Sequence, residues 1–436
     1  MIAARDIKST IGRHLLADGM DIIVDLKKSK GSWIIDKRNG DEYLDCFSMF
    51  ASMAVGYNHD SLLAMKEIFG ELAIQKPANS DSYTEPFAEF LQTFELYAMP
   101  SSLPHLFLIE GGTLAVENAL KAAFDWKVKK NFAKGIKEET GSKIIHFRQA
   151  FHGRSGYTLS LTNTADPRKT GFFPKFDWPR ITNPKITFPL TSENLAAVEI
   201  AEHEALAEIK QHLANEGDDI AGLIIEPIQG EGGDNHFRNE FFKNLRLLCD
   251  EHDILLIYDE IQTGVGLTGK FWAYQYFDAP PDIISFGKKT QVCGIMASKR
   301  LDEVENNVFT EPSRINSTFG GNLIDMVRCS AILKIIEKEN LIDNACERGK
   351  ELLEGFENLQ NEFPGVISNS RGRGLMCAFD LQDGLTRDTC RKMLVEEKLL
   401  VVGCGEKSIR LRPHLVITQE EVQLILQKIK KVAKHL

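Results

Sequence analysis

Two short apolar runs, each followed by a charged residue, constrain most strongly how this chain can fold. The first run spans residues 254–258 and ends at Asp259, and the second spans residues 283–286 and is followed by Gly287 and Lys288. Both runs are rich in branched side chains, which is typical of buried parallel strands. Because open α/β sheets bind ligands at the carboxyl ends of their strands, we expect Asp259 and Lys288 to meet at one sheet edge.

A carboxylate and an amine at such an edge suit a pyridoxal phosphate site. The pyridinium nitrogen of that cofactor needs an anion that keeps it protonated, and its aldehyde needs a lysine for a Schiff base. Each residue also has a simpler interpretation, since an aspartate after a strand often caps a turn and a lysine after a glycine is usually solvated. Asp259 and Lys288 alone therefore leave both interpretations open.

Glycines at a predicted helix start supply a candidate anion site. Gly112 and Thr113 precede a stretch of helical composition. Free N–H groups and the helix dipole point at a ligand there, and phosphate fits such a site. An ordinary capped helix is the alternative for this segment.

Two further segments carry residues suited to ligand contact. In the sequence Phe-His-Gly-Arg, Phe151 can stack on a flat ring and Arg154 can hold a carboxylate in a bidentate fork. Glu231 lies in a glycine-rich run that follows another apolar strand. A loop that faces a ligand and an ordinary surface turn are both compatible with that run.

The order of these motifs resembles the class III aminotransferases over nearly the whole chain. The segments that carry the resemblance are 111–113, 151–154, 226–233, 259–264, 287–288 and 317–322. Three more strings are similar to those of the L-lysine 6-aminotransferases (lysine epsilon-aminotransferases) within that class, namely residues 173–180, 287–294 and 371–377. The resemblance implies an α/β protein of fold type I, with a large, doubly wound, mostly parallel sheet domain and a smaller α/β domain. We expect a large pyridoxal-phosphate-binding domain at residues 61–325 and a small domain built from both chain ends, residues 1–60 and 326–436.

The resemblance also implies roles for individual residues. Lys288 is expected to be the Schiff-base lysine and proton shuttle, Asp259 to pair with the pyridinium nitrogen, and Gln262 to bond the phenolic oxygen of the ring. The residues expected to bind pyridoxal 5'-phosphate are Gly112, Thr113, Phe151, Asp259, Gln262, Lys288 and Thr318. Thr318 is expected to come from the second subunit of a homodimer.

The implied reaction moves the ε-amino group of L-lysine to 2-oxoglutarate by a ping-pong mechanism. Its products are 2-aminoadipate 6-semialdehyde, which cyclises to piperideine-6-carboxylate, and L-glutamate. Arg154 is expected to bind the carboxylate far from the reacting carbon in both substrates. Arg410, with Arg412 as the fallback, is expected to bind the α-carboxylate of 2-oxoglutarate, and Glu231 is expected to pair with that arginine while lysine is bound.

Two other functions remain open at this stage. One is an aminotransferase for ornithine, 4-aminobutyrate or another ω-amine, or an aminomutase of this fold, because several ω-amino acids carry the distal carboxylate that Arg154 suits. The other is a regulatory protein that binds pyridoxal phosphate without catalysis. The presence of both Lys288 and Asp259 disfavours this last alternative, since a lost activity removes the need for either.

Composition narrows the class of protein. The net charge of −10 argues against affinity for nucleic acid. No run approaches the roughly 18 apolar residues of a membrane helix, and residues 1–20 lack the apolar core of a secretory signal. The eight cysteines are scattered without metal-ligand spacing, so we expect no metal site and a reducing cytoplasm. Five lysines within residues 127–137 are expected to form a solvated face.

Overall fold

The computed structural model describes residues 2–436. Its strands are β1 (Trp33–Ile35), β2 (Glu42–Asp45), β3 (His105–Ile109), β4 (Lys143–Phe147), β5 (Arg180–Ile181), β6 (Ile220–Ile225), β7 (Leu255–Asp259), β8 (Ile283–Phe286), β9 (Cys293–Ala297), β10 (Ser368–Arg373), β11 (Met376–Asp380), β12 (Leu399–Leu400), β13 (Val402–Cys404) and β14 (Ser408–Leu411).

The helices alternate with these strands along most of the chain. They are α1 (Ile7–Ile11), α2 (Ser48–Ala51), α3 (Asp60–Leu63), α4 (Lys66–Ile74), α5 (Glu85–Tyr97), α6 (Gly112–Ala133), α7 (Gly156–Leu161), α8 (Ser192–Glu216), α9 (Asn239–Glu251), α10 (Leu323–Lys338), α11 (Leu341–Glu362), α12 (Gly384–Glu396) and α13 (Gln419–Ala433). The four residues of α2 all have positive φ, so this element is a single left-handed turn.

The largest sheet has seven strands in the order β3-β9-β8-β7-β6-β4-β5. Strands β8, β7, β6, β4 and β5 run parallel to one another, and β9 runs antiparallel to both β3 and β8. Every residue of β6, β7 and β8 is buried. The prediction of a mostly parallel sheet with buried apolar strands is therefore confirmed.

Successive residues of β7 point into two different hydrophobic cores. Leu255 and Ile257 pack in a core that α6 shares, and Leu256 and Tyr258 pack in a larger core that α9 shares. Alternation of this kind places helices on both faces of the sheet. The doubly wound arrangement is confirmed, and it leaves the carboxyl ends of β6, β7 and β8 at one edge.

Two smaller sheets contain the strands near the chain ends. One has the order β1-β2-β12 and the other β10-β11-β14-β13. Asn39 and Gly40 between β1 and β2 favour a hairpin, and the two strands do pair antiparallel. β12 pairs with β2 in parallel. The three-stranded sheet therefore joins residues from the two ends of the chain.

Some local predictions were wrong. The apolar run at residues 365–367 is typical of a strand, but β10 begins only at Ser368, and a turn at Gly374 connects it directly to β11. Lys127 was expected to be solvated, yet it is buried, and its Nζ donates to the carbonyl oxygen of Asp253 at 3.0 Å. Among residues 2–436, none of the helices is both long enough and apolar enough to span a membrane.

Candidate active site

A cavity of about 220 Å³ lies at the edge where β6, β7 and β8 end. We call it the site cavity. It is lined by Gly112, Thr113, Phe151, His152, Gly153, Glu226, Glu231, Asp259, Ile261, Gln262 and Lys288. Seven of the residues predicted for the site therefore lie around one space, although they come from segments far apart in the sequence.

Asp259 is the last residue of β7 and is only 5% exposed. Its Oδ2 lies 2.8 Å from Nδ1 of His152, and its Oδ1 accepts a hydrogen bond from the backbone N–H of Ile261 at 3.1 Å. These partners fix the orientation of the carboxylate at the cavity wall. Nε2 of His152 is buried and has no partner among residues 2–436.

Lys288 follows β8 and lies across the same edge. Burial, together with the neighbouring positive charge of Arg410, lowers the pKa of its amine to about 7. An amine with that pKa is substantially neutral at neutral pH, which makes it both a nucleophile and a base. Lys289 instead points away from the site cavity, since its buried Nζ donates to the carbonyl oxygen of Gln262 at 2.9 Å.

Glu226 is a buried carboxyl group in the cavity wall that sequence reasoning did not assign. Burial raises its pKa to about 7. Its two oxygens accept hydrogen bonds from the backbone N–H groups of Phe151 and Gly230, both at 3.0 Å. Its place at the end of an apolar strand, in the same position as Asp259, is the sequence signal that marks it.

The N-terminus of α6 opens onto the site cavity without a capping side chain. Gly111 stands at the N-cap with φ of +98°, and no side chain bonds the first N–H groups of the helix. Gly153 packs against this end so closely that a Cβ there would lie 2.2 Å from Oγ1 of Thr113. The result is a cradle of backbone and hydroxyl donors with room for an anion.

The two candidate arginines differ in their partners. Nη2 of Arg412 forms a salt bridge with the fully buried carboxylate of Asp234. Arg410 forms no salt bridge within residues 2–436, and its Nη1 donates to Oε1 of Gln262 at 3.2 Å. Nε of Arg412 donates to the same oxygen at 3.2 Å. Arg410 is therefore the arginine without a carboxylate partner, and Gln262 keeps its Nε2 as the free donor.

Glu231 is bonded to neither arginine. Its Oε1 accepts hydrogen bonds from Nζ of Lys169 at 2.6 Å and from Oγ1 of Thr164 at 2.7 Å. The predicted pairing with Arg410 concerns the protein with lysine bound, so it stays a prediction. Lys169 and Thr164 were not identified from the sequence.

Four predicted residues are not among those that line the site cavity. Arg410 and Arg412 are two of them, although both contact Gln262 in its wall. The other two lie farther out. Arg154 is exposed and forms no hydrogen bond or salt bridge within the described chain, although it follows directly on Gly153. Thr318 is also exposed, and its segment is held by Asn79 and Ser80 of the same chain. Within residues 2–436, no cluster of three His, Cys, Asp or Glu side chains is arranged to hold a metal ion.

Comparison with protein families matches residues 16–433 to the family described as aminotransferase class-III. The L-lysine-epsilon aminotransferase of Mycobacterium tuberculosis is 49% identical to this chain over 427 residues, which cover 97% of this chain and 94% of that protein. The L-lysine-epsilon aminotransferase of Amycolatopsis lactamdurans is 48% identical over 425 residues, with 96% and 93% covered.

A solved structure agrees with these sequence comparisons. The lysine aminotransferase of M. tuberculosis superimposes on this chain with a TM-score of 0.96 at 48% identity, and the superposition covers 99% of both chains. The architecture around the site cavity therefore belongs to a fold that is already known experimentally.

Proposed function

Because this chain belongs to the class III aminotransferases, we propose that it transfers the ε-amino group of L-lysine to 2-oxoglutarate with pyridoxal 5'-phosphate as cofactor. The products are 2-aminoadipate 6-semialdehyde, which cyclises to piperideine-6-carboxylate, and L-glutamate. The observation that carries the proposal is the site cavity, which brings Lys288, Asp259 and the start of α6 together. The L-lysine-epsilon aminotransferases at 48–49% identity support lysine as the amino donor.

The residues around the site cavity fit the proposed cofactor. The uncapped start of α6, with Gly112 and Thr113, suits the phosphate group. Asp259 supplies the buried anion for the pyridinium nitrogen, and Phe151 supplies an aromatic face for the ring. When bound, the cofactor withdraws electrons from the carbon next to the substrate nitrogen and so makes a proton on that carbon removable.

Lys288 is the group that moves this proton. Its amine has a pKa of about 7, so it accepts a proton from carbon and returns it without a strong energetic preference for either state. Gln262 donates from its Nε2 to the phenolic oxygen, since both arginines occupy its Oε1. The electrostatic roles of Asp259 and Gln262 need no movement of either side chain during the reaction.

Arg410 and Arg154 bind the substrate carboxylates. Arg410 takes the α-carboxylate of 2-oxoglutarate or glutamate. Its lack of a carboxylate partner supports this role, whereas Arg412 is already paired with Asp234. Arg154 takes the carboxylate far from the reacting carbon, and its exposed guanidinium has no competing partner. Glu231 covers the charge of Arg410 while lysine is bound.

The proposal includes a cytoplasmic homodimer. Thr318 reaches the phosphate from the second subunit. This role is supported by the position of Thr318 in its own chain, where it is exposed and lies outside the site cavity. All eight cysteines are free thiols and seven are buried, as in a reducing compartment. Small amino and keto acids are the partners, and the net charge of −10 disfavours nucleic acid.

The proposed reaction is tested by steady-state turnover. Lysine and 2-oxoglutarate should give glutamate together with a cyclic imine that an aromatic amino aldehyde traps as a coloured adduct. Ornithine and 4-aminobutyrate serve as competing donors. One methylene changes binding by about 1–3 kcal/mol, so we expect lysine to exceed ornithine in kcat/KM by roughly 10-fold or more. A larger kcat/KM for either competitor would keep the reaction type and replace the substrate.

A further inference from the structure

Glu231 separates two cavities. It lines the site cavity and also a second cavity of about 570 Å³. The second cavity is bordered by residues 164–169 on one side and by residues 402–406 on another. A side chain in a shared wall reaches either space by a change of rotamer.

On the side of the second cavity, Glu231 has two donors on one oxygen. Lys169 Nζ and Thr164 Oγ1 both bond Oε1, at 2.6 and 2.7 Å. The other oxygen, Oε2, is buried without a partner among residues 2–436. We call the contact of Glu231 with these two residues the holding position. It is strong because it is charge-assisted, yet it leaves one carboxylate oxygen unsatisfied.

The backbone of Glu231 is fixed in place. The N–H of Gly405 donates to its carbonyl oxygen at 2.7 Å. The preceding residue, Gly230, touches Gln262 so closely that a Cβ there would lie 2.5 Å from its Oε1. A change in the partner of Glu231 must therefore come from rotation of its side chain.

We propose that Lys169 and Thr164 set the balance between the two substrates by holding Glu231 away from Arg410. This inference rests on the proposed function. While Glu231 is in the holding position, the charge of Arg410 is uncompensated and receives the α-carboxylate of 2-oxoglutarate or glutamate. When Glu231 leaves the holding position it neutralises Arg410, and the apolar chain of lysine occupies the space beside it. Lys169 is thus a positioning residue that acts through Glu231.

Loss of the Lys169 charge should affect the two half-reactions differently. In Lys169→Met, Glu231 keeps one neutral donor and moves toward Arg410. The apparent dissociation constant for glutamate should rise about tenfold, the effect of one charge-assisted hydrogen bond. The constant for lysine should stay the same or fall, and Lys169→Arg should restore the wild-type ratio.

The experiment is single-turnover absorbance on the holoenzyme, with lysine alone or glutamate alone. Arg168→Met is the matched control. It removes the same charge from the same turn beside the second cavity, but the side chain of Arg168 is 88% exposed and pairs with Asp166. Thr164→Val removes the second donor and tests the holding position independently if a Lys169 variant fails to fold.

Three results would overturn the inference. One is equal weakening of both half-reactions in Lys169→Met, and another is the same shift in Arg168→Met. The third is an unchanged ratio in both Lys169→Met and Thr164→Val. Failure of the proposed function gives a different result. If lysine is not the substrate, the wild-type protein reacts with glutamate but not with lysine. The weaker binding of glutamate in Lys169→Met would still be observed in that case.

Discussion

Protonation of Lys288 should govern how the cofactor-free protein captures pyridoxal phosphate. Its pKa is about 7, and only the neutral amine attacks an aldehyde. The second-order rate constant for capture should therefore level off above about pH 7 and fall about tenfold for each unit below it. Stopped-flow absorbance measures this constant. A rate that climbs until about pH 10 would indicate an ordinary solvated lysine.

Replacing Lys288 and Lys289 one at a time distinguishes the roles of these two neighbouring lysines. Lys288→Ala should lose the visible absorbance of the bound cofactor and reduce kcat by roughly 10⁴-fold, the upper range for loss of a general base. Lys289→Met should keep the absorbance, because Lys289 lies outside the site cavity and bonds the carbonyl of Gln262. Spectra of the two purified variants decide the matter. Absorbance lost in Lys289→Met alone would move the catalytic role to that residue.

At the scale of residues, the sequence predicted groups that follow strands better than it predicted their partners. Asp259 and Lys288 lie at strand ends, so the topology of the sheet brings them together. The contact between Lys169 and Glu231 depends on how residues 62 positions apart pack, which no local pattern encodes. The salt bridge of Arg412 with Asp234 has the same origin.

The start of α6 should tolerate no side chain at Gly153. A Cβ there would lie 2.2 Å from Oγ1 of Thr113, so Gly153→Ala should displace the anion cradle and weaken binding of pyridoxal phosphate by roughly 10-fold or more. Gly135→Ala is the control, because Gly135 also has positive φ but has open space around it. Equilibrium titration with pyridoxal phosphate measures the dissociation constant of each variant. Equal weakening in the two variants would attribute the effect to backbone strain alone.

The three-stranded sheet depends on a buried carboxylate that connects the two chain ends. Asp45 Oδ2 accepts a hydrogen bond from the hydroxyl of Tyr57 at 2.9 Å and lies 3.3 Å from Nε2 of His414. Asp45→Ala leaves both groups unpaired and should lower the free energy of unfolding by about 3 kcal/mol. Tyr57→Phe removes one bond and should cost about 1 kcal/mol. Chemical denaturation measures the free energy of unfolding of both variants, and an equal decrease in the two would contradict the central role of Asp45.

Elements with a continuous apolar sequence were predictable, and elements that combine apolar and charged residues were not. The buried strands β7 and β8 need apolar residues on both faces, so composition alone reveals them. β14 carries Arg410 among apolar neighbours and gave no strand signal, although all four of its residues are buried. Lys127 was misjudged for a related reason, since a long side chain reaches a backbone acceptor that only the tertiary fold supplies.

For the whole molecule, we propose that residues 61–325 form the large domain and that residues 1–60 and 326–436 form the small domain. All strands of the seven-stranded sheet fall within the first range, and those of the two smaller sheets fall within the other two. The parallel pairing of β12 with β2 supports a small domain built from both ends.

The proposal that two subunits share each active site predicts complementation between inactive subunits. In a mixed dimer of Lys288→Ala and Thr318→Ala chains, one site carries both changes and the other carries neither. Random mixing should therefore restore about a quarter of the wild-type activity. Activity is measured after the two variants are dissociated and reassociated together. No gain over the separately treated variants would place Thr318 in the site of its own chain.

The most direct test of the central claim is a half-reaction without any keto acid. The purified holoenzyme is mixed with lysine, ornithine or 4-aminobutyrate, and the absorbance of the bound cofactor is followed through one turnover. Our account predicts rapid loss of that absorbance with lysine, much slower loss with the other two amines, and a product that an aromatic amino aldehyde traps. Rapid loss with ornithine or 4-aminobutyrate and none with lysine would contradict it.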